Sequence, residues 1–571
     1  MVQHPNPQFK RKDVLLLDGE WDFQMNQDGV DRKINVPFSP ESKLSGIEYK
    51  GFIKECRYKK VFNYTPKNED ERVIVCFGAV DYRALVYLNG KYIGSHVGGY
   101  TPFKFDITGS LKMGENLLLV VVYDMESGFY LSGKQSPKEQ SFGCFYTRTT
   151  GIWQSVWLEF VPQKRISEVL FSPDINTPSV KVELVTNDCG KYKIEVFYQG
   201  ELCGVAQGDV PYRTTATIPL SQKHLWELNE GRLYDVKITY EQDEVYSYFG
   251  LREVKYQGMK FYLNGKKTFQ KLVLDQGYYP EGVYTPASIE EMQRDIDLGK
   301  RLGFNGARLH QKVFDPKFLY LCDKAGYMVW GEYASWGQDY SSLNQIGQFL
   351  NEWQETVMRD FNHPSIILWC PLNEVWLDWR TNIRQPDARF VEIVYNFTKT
   401  LDTTRPCIDT SGGRHTAKTD VYDYHCYEEE EKFKRYIERL EKEDVLKLSE
   451  FTFPDDNCAY KAGGPVHVSE FGGIAFVEKG ATRKEVKVCN EAAVDSEDAW
   501  GYGKSEDDAE ALIARFERLI DTMFACDKIS GYCYTQLYDV EQERNGFFNY
   551  DRSNKLTEEQ MDKIRDIQNR K

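Results

Sequence analysis

The chain has little that would recruit a polyanion, a membrane or a nucleotide. Its 571 residues carry 72 Lys and Arg against 87 Asp and Glu, a net charge of -15, so it presents no basic footprint for a phosphate backbone or an anionic bilayer. No stretch approaches the ~20 consecutive apolar residues that span a membrane. The opening Met1-Val-Gln-His-Pro-Asn-Pro-Gln-Phe-Lys10 holds no apolar run of signal-peptide length. No G-x-G-x-x-G or Walker sequence opens a helix, which removes the usual dinucleotide and nucleotide readings. Thirteen Cys form an odd set without a C-x-x-C pair, which argues against a disulfide framework or zinc cluster and for buried, reduced thiols. The eight His do not gather with Cys or carboxylates at ligand spacing, so neither a metal nor a cofactor is expected. Nucleic acid and membrane drop out as partners, and a cytoplasmic location is expected.

What is abundant is aromatic: 14% of residues are Phe, Trp or Tyr, within 41% hydrophobic and 28% charged, a balance that folds. At about 150 residues per domain the length implies three to four units. Residues 1–160 alternate short β-rich runs with turns, as an antiparallel sandwich does. Within them Tyr82-Arg-Ala-Leu-Val-Tyr-Leu88 leads into Asn89-Gly90, the pair that supplies both positive φ angles of a tight hairpin. Residues 161–255 start a fresh β-rich block of roughly seven short strands, the count of an immunoglobulin-like sandwich.

In residues 256–571 the period changes. Ser288-Ile-Glu-Glu291 has the form of a capping box, and Ile289, Met292, Ile296 and Leu302 follow at helical spacing up to Gly303. Short apolar runs then alternate with helical segments. They begin at Leu272, Gly306, Met328, Ser365, Cys407, Val421, Val466 and Ser530; eight is the strand count of a (β/α)8 barrel.

A parallel barrel places its chemistry at the C-terminal ends of its strands. The fourth run ends Cys370-Pro-Leu-Asn373-Glu374, and the seventh, His467-Val-Ser-Glu470, also ends in Glu; the two Glu are 96 residues apart. Three βα steps put them on opposite sides of a small barrel, facing a shared centre. Two facing carboxylates suit glycosidic cleavage, one protonating the leaving oxygen while the other attacks the anomeric carbon.

With these motifs in place, the sequence resembles glycoside hydrolase family 2, the retaining β-galactosidase, β-glucuronidase and β-mannosidase family. Leu17-Asp-Gly-Glu-Trp-Asp-Phe23 and Gly151-Ile-Trp-Gln-Ser-Val-Trp-Leu-Glu159 look like its jelly-roll domain, and Asn362-His-Pro-Ser365 with Asn373-Glu374 looks like its acid/base signature. Ser469-Glu470-Phe-Gly472 looks like the nucleophile strand, and Tyr534-Thr-Gln-Leu-Tyr-Asp-Val-Glu-Gln-Glu543 with Asn545-Gly546 looks like the last strand and its loop. The resemblance implies an N-terminal jelly roll, an immunoglobulin-like sandwich and a C-terminal barrel. It makes Glu374 the general acid/base and Glu470 the nucleophile, and implies Asn373 as ligand of the sugar 2-hydroxyl. His425 and Tyr427 resemble a His-x-Tyr pair in which His lines the sugar site and Tyr hydrogen-bonds the nucleophile.

The remaining candidates follow from position. Arg308 ends the second run and suits either the nucleophile's charge or an ion pair with Glu332. Asp275 and Gln276, ending the first run, are expected as hydroxyl ligands, and Trp336, Tyr534 and Trp376 as flat faces for the pyranose. Desolvation by Trp369, Leu372, Val375 and Trp376 is expected to keep Glu374 protonated. Trp153 and Trp157 read as sandwich core, His310 and His467 as barrel lining, and Glu428-Glu-Glu-Glu431 as a solvated face.

Three departures from the family pattern bear on the sugar. The second run continues Arg308-Leu-His310-Gln311, with His shifted by one; the first ends Leu274-Asp-Gln-Gly-Tyr-Tyr-Pro280; and no Asn-x-Lys for a sugar carboxylate stands near Glu541-Gln-Glu-Arg-Asn-Gly-Phe-Phe548, where Arg544 is the one cation. The expected substrate is thus an oligosaccharide or glycoside with a neutral terminal sugar, galactose first. A β-glucuronidase or β-galacturonidase using Arg544 or Arg380, a β-mannosidase, and a non-catalytic carbohydrate-binding protein are the alternatives, and self-association into a homo-oligomer stays open.

Overall fold

The computed structural model describes residues 4–124, 130–375, 386–427, 430–442, 463–476 and 499–570. Its first unit stacks a four-stranded antiparallel sheet (Val14–Leu16, Val156–Pro162, Glu71–Phe77, Phe103–Asp106) on a six-stranded one (Arg32–Val36, Gly19–Met25, Glu55–Tyr64, Gly114–Tyr123, Arg83–Leu88, Lys91–Val97). The alternating apolar positions of the two sheets meet in one core that includes Trp21, Tyr58, Val75, Val86, Val120 and Leu158. The expected hairpin forms between Arg83–Leu88 and Lys91–Val97, with φ of 53° at Asn89 and 80° at Gly90.

The second unit has five strands rather than seven. Ser179–Tyr198 and Glu201–Pro219 are each long enough to serve two layers, and a register break between Val185 and Cys189 bends them. One end of Ser179–Tyr198 pairs with Ile166–Asp174 and the other with Tyr234–Tyr240. Short runs in the sequence merge into long strands because the bulge, not a turn, interrupts the alternation.

The barrel carries seven parallel strands in the spatial order Ile366–Cys370, Met328–Glu332, Gly306–Leu309, Gln270–Asp275, Ile529–Thr535, Val466–Gly472, Tyr422–Cys426. The run at Cys407 and Ile408 fills the remaining place through isolated bridges, Trp369 with Cys407 and Asn373 with Ser411. Strand alternation divides the side chains. Leu272, Leu274, Met328, Trp330, Leu368, Cys370 and Cys533 fill the barrel interior, while Val273, Ala307, Val329, Trp369, Phe471 and Tyr534 join the layer packed under the helices. The first helix runs Ile289–Arg301 with Ser288 at its N-cap, but Ser288 makes no capping hydrogen bond; Glu291 instead accepts from Ala287 N at 2.8 Å.

Nine of the eleven described cysteines are buried, and no two described ones are bonded to each other. Trp157 is buried, but outside the sandwich core where it was expected: alternation turns it to the other face of its sheet, against Ile74, Cys76 and Val161. Trp153 is also buried but sits outside the sandwich core: it packs on Tyr284 of the barrel with ring centroids 5.2 Å apart.

Candidate active site

Glu470 lies near the C-terminal end of its strand, enclosed and 4% exposed. Arg308 Nη1 donates to its Oε1 at 2.8 Å and Tyr427 Oη to its Oε2 at 2.5 Å. Burial alone would raise this carboxyl's pKa. The charges of His425, Arg308, His310 and Lys134 outweigh it and bring the pKa down to about 2, so Glu470 is held as a carboxylate.

Glu374 lies just past the fourth strand in left-handed backbone, φ 51°, a conformation that costs a non-glycine residue energy and recurs at functional sites. Its backbone N donates to Ser411 O at 2.7 Å. Its carboxyl, with the side chain one-fifth exposed, meets His425 Nδ1 at 2.8 Å. The same His425 atom lies 3.4 Å from Glu470 Oε2, and one ligating atom from each of Glu374, His425 and Glu470 falls within 4.8 Å of the others. Such closeness is of the kind found in retaining glycosidases, whose carboxyl groups stand ~5 to 5.5 Å apart, rather than the ~6.5 to 9.5 Å of inverting ones.

Arg308 organises this centre from below. It is fully buried and donates through Nε to Glu332, through Nη1 to Glu470 and through Nη2 to Asn373 Oδ1 at 2.6 Å. Arg308 thus pairs with Glu332 and with Glu470 in one arrangement. Among the described residues Asn373 Nδ2 has no partner and is buried, a donor available to a sugar hydroxyl. Trp336 donates from Nε1 to Asn373 O at 3.1 Å, which places the indole beside the pair.

His425 is fixed from behind. Ser411 Oγ is 3.1 Å from its Nε2 and donates to Asp423 Oδ2 at 2.5 Å; Ser469 Oγ donates to the same oxygen. Asp423 Oδ1 lies 2.9 Å from His415 Nε2, and His415 Nδ1 lies 2.7 Å from Asp409. Burial disfavours charge on His415, but the two flanking carboxylates overcome it and lift its pKa to about 10. His425 is likewise raised, burial being outweighed by Glu470 and Glu374.

Two candidates are corrected. Tyr534 is not a sugar platform: strand alternation turns Cys533 inward and Tyr534 outward, where its ring stacks on Phe547 with centroids 4.5 Å apart. Asp275 likewise turns away from the carboxylate pair, next to inward-facing Leu274. It accepts from Tyr538 Oη at 2.5 Å and Gly277 N at 2.9 Å, and burial foremost, then the Asp295 charge, raise its pKa to about 6. Trp369, Leu372 and Val375 belong to the layer under the helices, so the group that meets the Glu374 carboxyl is His425. Gln276 Nε2 binds Gln536 Oε1 at 3.0 Å. Asn362 clamps the second unit, accepting from Phe171 N at 2.9 Å and donating to Val169 O at 2.8 Å; it positions domains rather than substrate. His310 bonds Glu332 at 2.9 Å, and His467 stands in the barrel against Trp330. Of the acidic run, Glu430 pairs with Arg518 at 2.8 Å. Trp376, Arg380, Glu428 and Glu429 lie outside the described residues.

Other members of the site were missed. Between the strands ending at Tyr123 and starting at Gly151, the jelly roll sends a long connection into the barrel mouth. Gly133 N donates to Trp336 O at 3.2 Å, Tyr146 Oη to Glu543 Oε2 at 2.5 Å and Gln542 Nε2 to Gly143 O at 2.6 Å. This connection brings Lys134, whose Nζ stands 4.5 Å from the Trp336 ring centroid. Burial works against the ammonium, yet Cys144, Glu543, Glu470 and Glu374 together raise its pKa. Tyr502 stacks on Tyr427 at 3.6 Å, and Thr535 Oγ1 is 2.9 Å from Tyr427 Oη. The signal available in the sequence was the length of the connection, since long loops without β alternation are often functional.

Residues 17–162 match the sugar binding domain, and residues 254–467 the TIM barrel domain, of glycosyl hydrolases family 2. A β-galactosidase of Thermoanaerobacterium thermosulfurigenes is 30% identical over 453 residues, 72% of this chain and 60% of that protein. A putative β-glucuronidase of Formosa agariphila is 28% identical over 352 residues, 56% of this chain and 40% of that protein. The chain thus spans about half the length of the curated relatives it matches. Among solved structures, a β-glucuronidase of an uncultured Clostridium sp. superposes with a TM-score of 0.77 at 19% identity, covering 99% of both chains. A β-galacturonidase of Eisenbergiella tayi bound to galacturonate gives 0.75 at 20% identity, covering 98% of both. With its two-glutamate barrel and its jelly roll, the chain belongs to glycoside hydrolase family 2.

Proposed function

We propose that the chain is a retaining exo-β-glycosidase acting by double displacement. The observation that carries this reading is the closeness of Glu374 and Glu470 across His425, in environments that separate their roles. Glu470, ionised between Arg308 and Tyr427, attacks the anomeric carbon and forms a glycosyl-enzyme. Glu374 gives its proton to the leaving oxygen, then takes one from the water that releases the sugar. Asn373 Nδ2, with no partner of its own, donates to the 2-hydroxyl as the oxocarbenium-like state develops. Trp336 supplies an apolar face.

Galactosides are the first substrates to test, since a curated relative at 30% identity is named a β-galactosidase. β-Uronides are the second reading, supported by the names of the two full-length structural matches. The test is proton NMR of the product formed from 4-nitrophenyl β-glycosides. Initial release of the β-anomer supports the proposal; initial release of the α-anomer, or no turnover of any β-pyranoside, overturns it.

A further inference from the structure

Among the cations around the paired carboxylates, Lys134 differs in one respect. Its ammonium donates no hydrogen bond to any described residue. Arg308 is saturated by Glu332, Glu470 and Asn373. Lys312 donates to the carbonyls of Gly277 and Tyr284, and Lys555 to Asp539 and Gly546. Arg544, the cation that the sequence offered for a sugar carboxylate, lies 3.7 Å from Asp539. Lys134 is nonetheless 6% exposed.

The carboxylates near it hold their hydrogen bonds elsewhere. Glu543 accepts from Tyr146 Oη and Asn545 Nδ2, Glu470 from Arg308 and Tyr427, and Glu374 meets His425. They support the positive charge through space and leave its three N–H donors free. The position is rigid: Tyr146 N donates to Lys134 O at 2.8 Å, Nζ sits over the Trp336 ring, and Trp336 binds the carbonyl of Asn373, the residue before Glu374. A side chain this enclosed keeps its ammonium poorly hydrated, so a ligand that offers an acceptor gains from it. A sugar hydroxyl would occupy one donor and leave the charge without a bonded counter-ion, whereas a carboxylate supplies both in a charge-assisted bond.

We infer that Lys134 binds the C6 carboxylate of a terminal uronic acid, which selects the second of the two substrate readings, β-linked uronides over galactosides, and makes the jelly roll set the specificity of chemistry performed by the barrel. The inference rests on the glycosidase reading of Glu374 and Glu470.

The experiment compares full-length wild type, Lys134→Met and Lys134→Arg on two matched pairs, 4-nitrophenyl β-D-galactoside with galacturonide and β-D-glucoside with glucuronide. Wild type is expected to prefer the uronide in at least one pair. In Lys134→Met the ratio of uronide to neutral kcat/KM should fall by about 10- to 100-fold, the worth of one charge-assisted hydrogen bond, and Lys134→Arg should recover part of it. An unchanged ratio in Lys134→Met, or a wild type that prefers the neutral sugar in both pairs, overturns the inference. Should Lys134→Met lose its circular dichroism melt, Lys134→Arg and Lys134→Gln carry the same ratio test. Wild type that hydrolyses none of the four substrates sinks the glycosidase reading itself.

Discussion

His425 Nδ1 stands 2.8 Å from Glu374 Oε1, so the imidazole and the candidate acid/base share one hydrogen bond while the same nitrogen faces Glu470, the candidate nucleophile, at 3.4 Å. One imidazole nitrogen therefore stands between the two carboxyl groups.

Separating the two glutamates by mutation tests their roles. Glu374→Ala should lower kcat/KM by about 10²- to 10⁴-fold on a substrate with a poor leaving group, and far less on a 2,4-dinitrophenyl glycoside, which leaves without protonation. Glu470→Gln should lose turnover on both and keep its thermal melt. Equal losses in the two Glu374→Ala assays would remove the acid assignment.

Tyr427→Phe deletes the 2.5 Å donor to Glu470. Hydrogen bonds to a carboxylate hold its pKa down, so the acid limb of the kcat/KM profile should move to higher pH. Because the Glu470 pKa is depressed in the folded state, from 4.5 to about 2, its stabilisation is complete above pH 4.5 and disappears as pH falls toward 2. Urea melts across that window should show the loss in wild type and a smaller one in Glu470→Gln.

His415 predicts the opposite slope. Its folded pKa is raised from 6.5 to about 10 between Asp409 and Asp423, so its contribution is full below pH 6.5 and is lost as pH rises through 10. His415→Gln should cost about 3–5 kcal/mol at pH 6, the usual result of breaking a buried ion pair from one side, and flatten the alkaline decline. It should also lower kcat more than it raises KM, through the loosened Asp423 and Ser411 behind His425.

Tyr534 separates a core side chain from a sugar platform. Its Oη has no partner, so Tyr534→Phe should leave KM and kcat within about twofold. Tyr534→Ala should cost about 3–5 kcal/mol of stability by opening a cavity against Phe471, Phe516 and Phe547. A raised KM in Tyr534→Phe would return the residue to the site.

The parts of the site that were legible sit at strand ends with a local motif around them. Asn373-Glu374 and Ser469-Glu470 could be placed because a parallel barrel sends strand termini to one face, and their spacing in the chain counted the steps between them. Arg308, His425 and Tyr427 were found for the same reason, and the structure gathers all seven residues within one hydrogen-bonded group. Asp275 and Tyr534 also end strands, yet one residue of register turned them outward. Period-2 alternation specifies which neighbours share a face and leaves open which face is the interior. Asn362 shows the converse: a motif residue beside the acid/base segment is spent on holding another domain.

Sequence by itself determined the order of the three units, the hairpin at Asn89-Gly90, the barrel's strand rhythm and the placement of two glutamates at the ends of barrel strands, because each is written in local chemistry or in short-range periodicity. Only the tertiary structure decided that Lys134, Tyr146 and Glu543 meet at the barrel mouth, that Asp409, His415 and Asp423 back His425, and which strand-end side chains face inward. These depend on contacts between residues far apart along the chain, whose energies arise only once packing has excluded water and brought the partners within hydrogen-bonding distance.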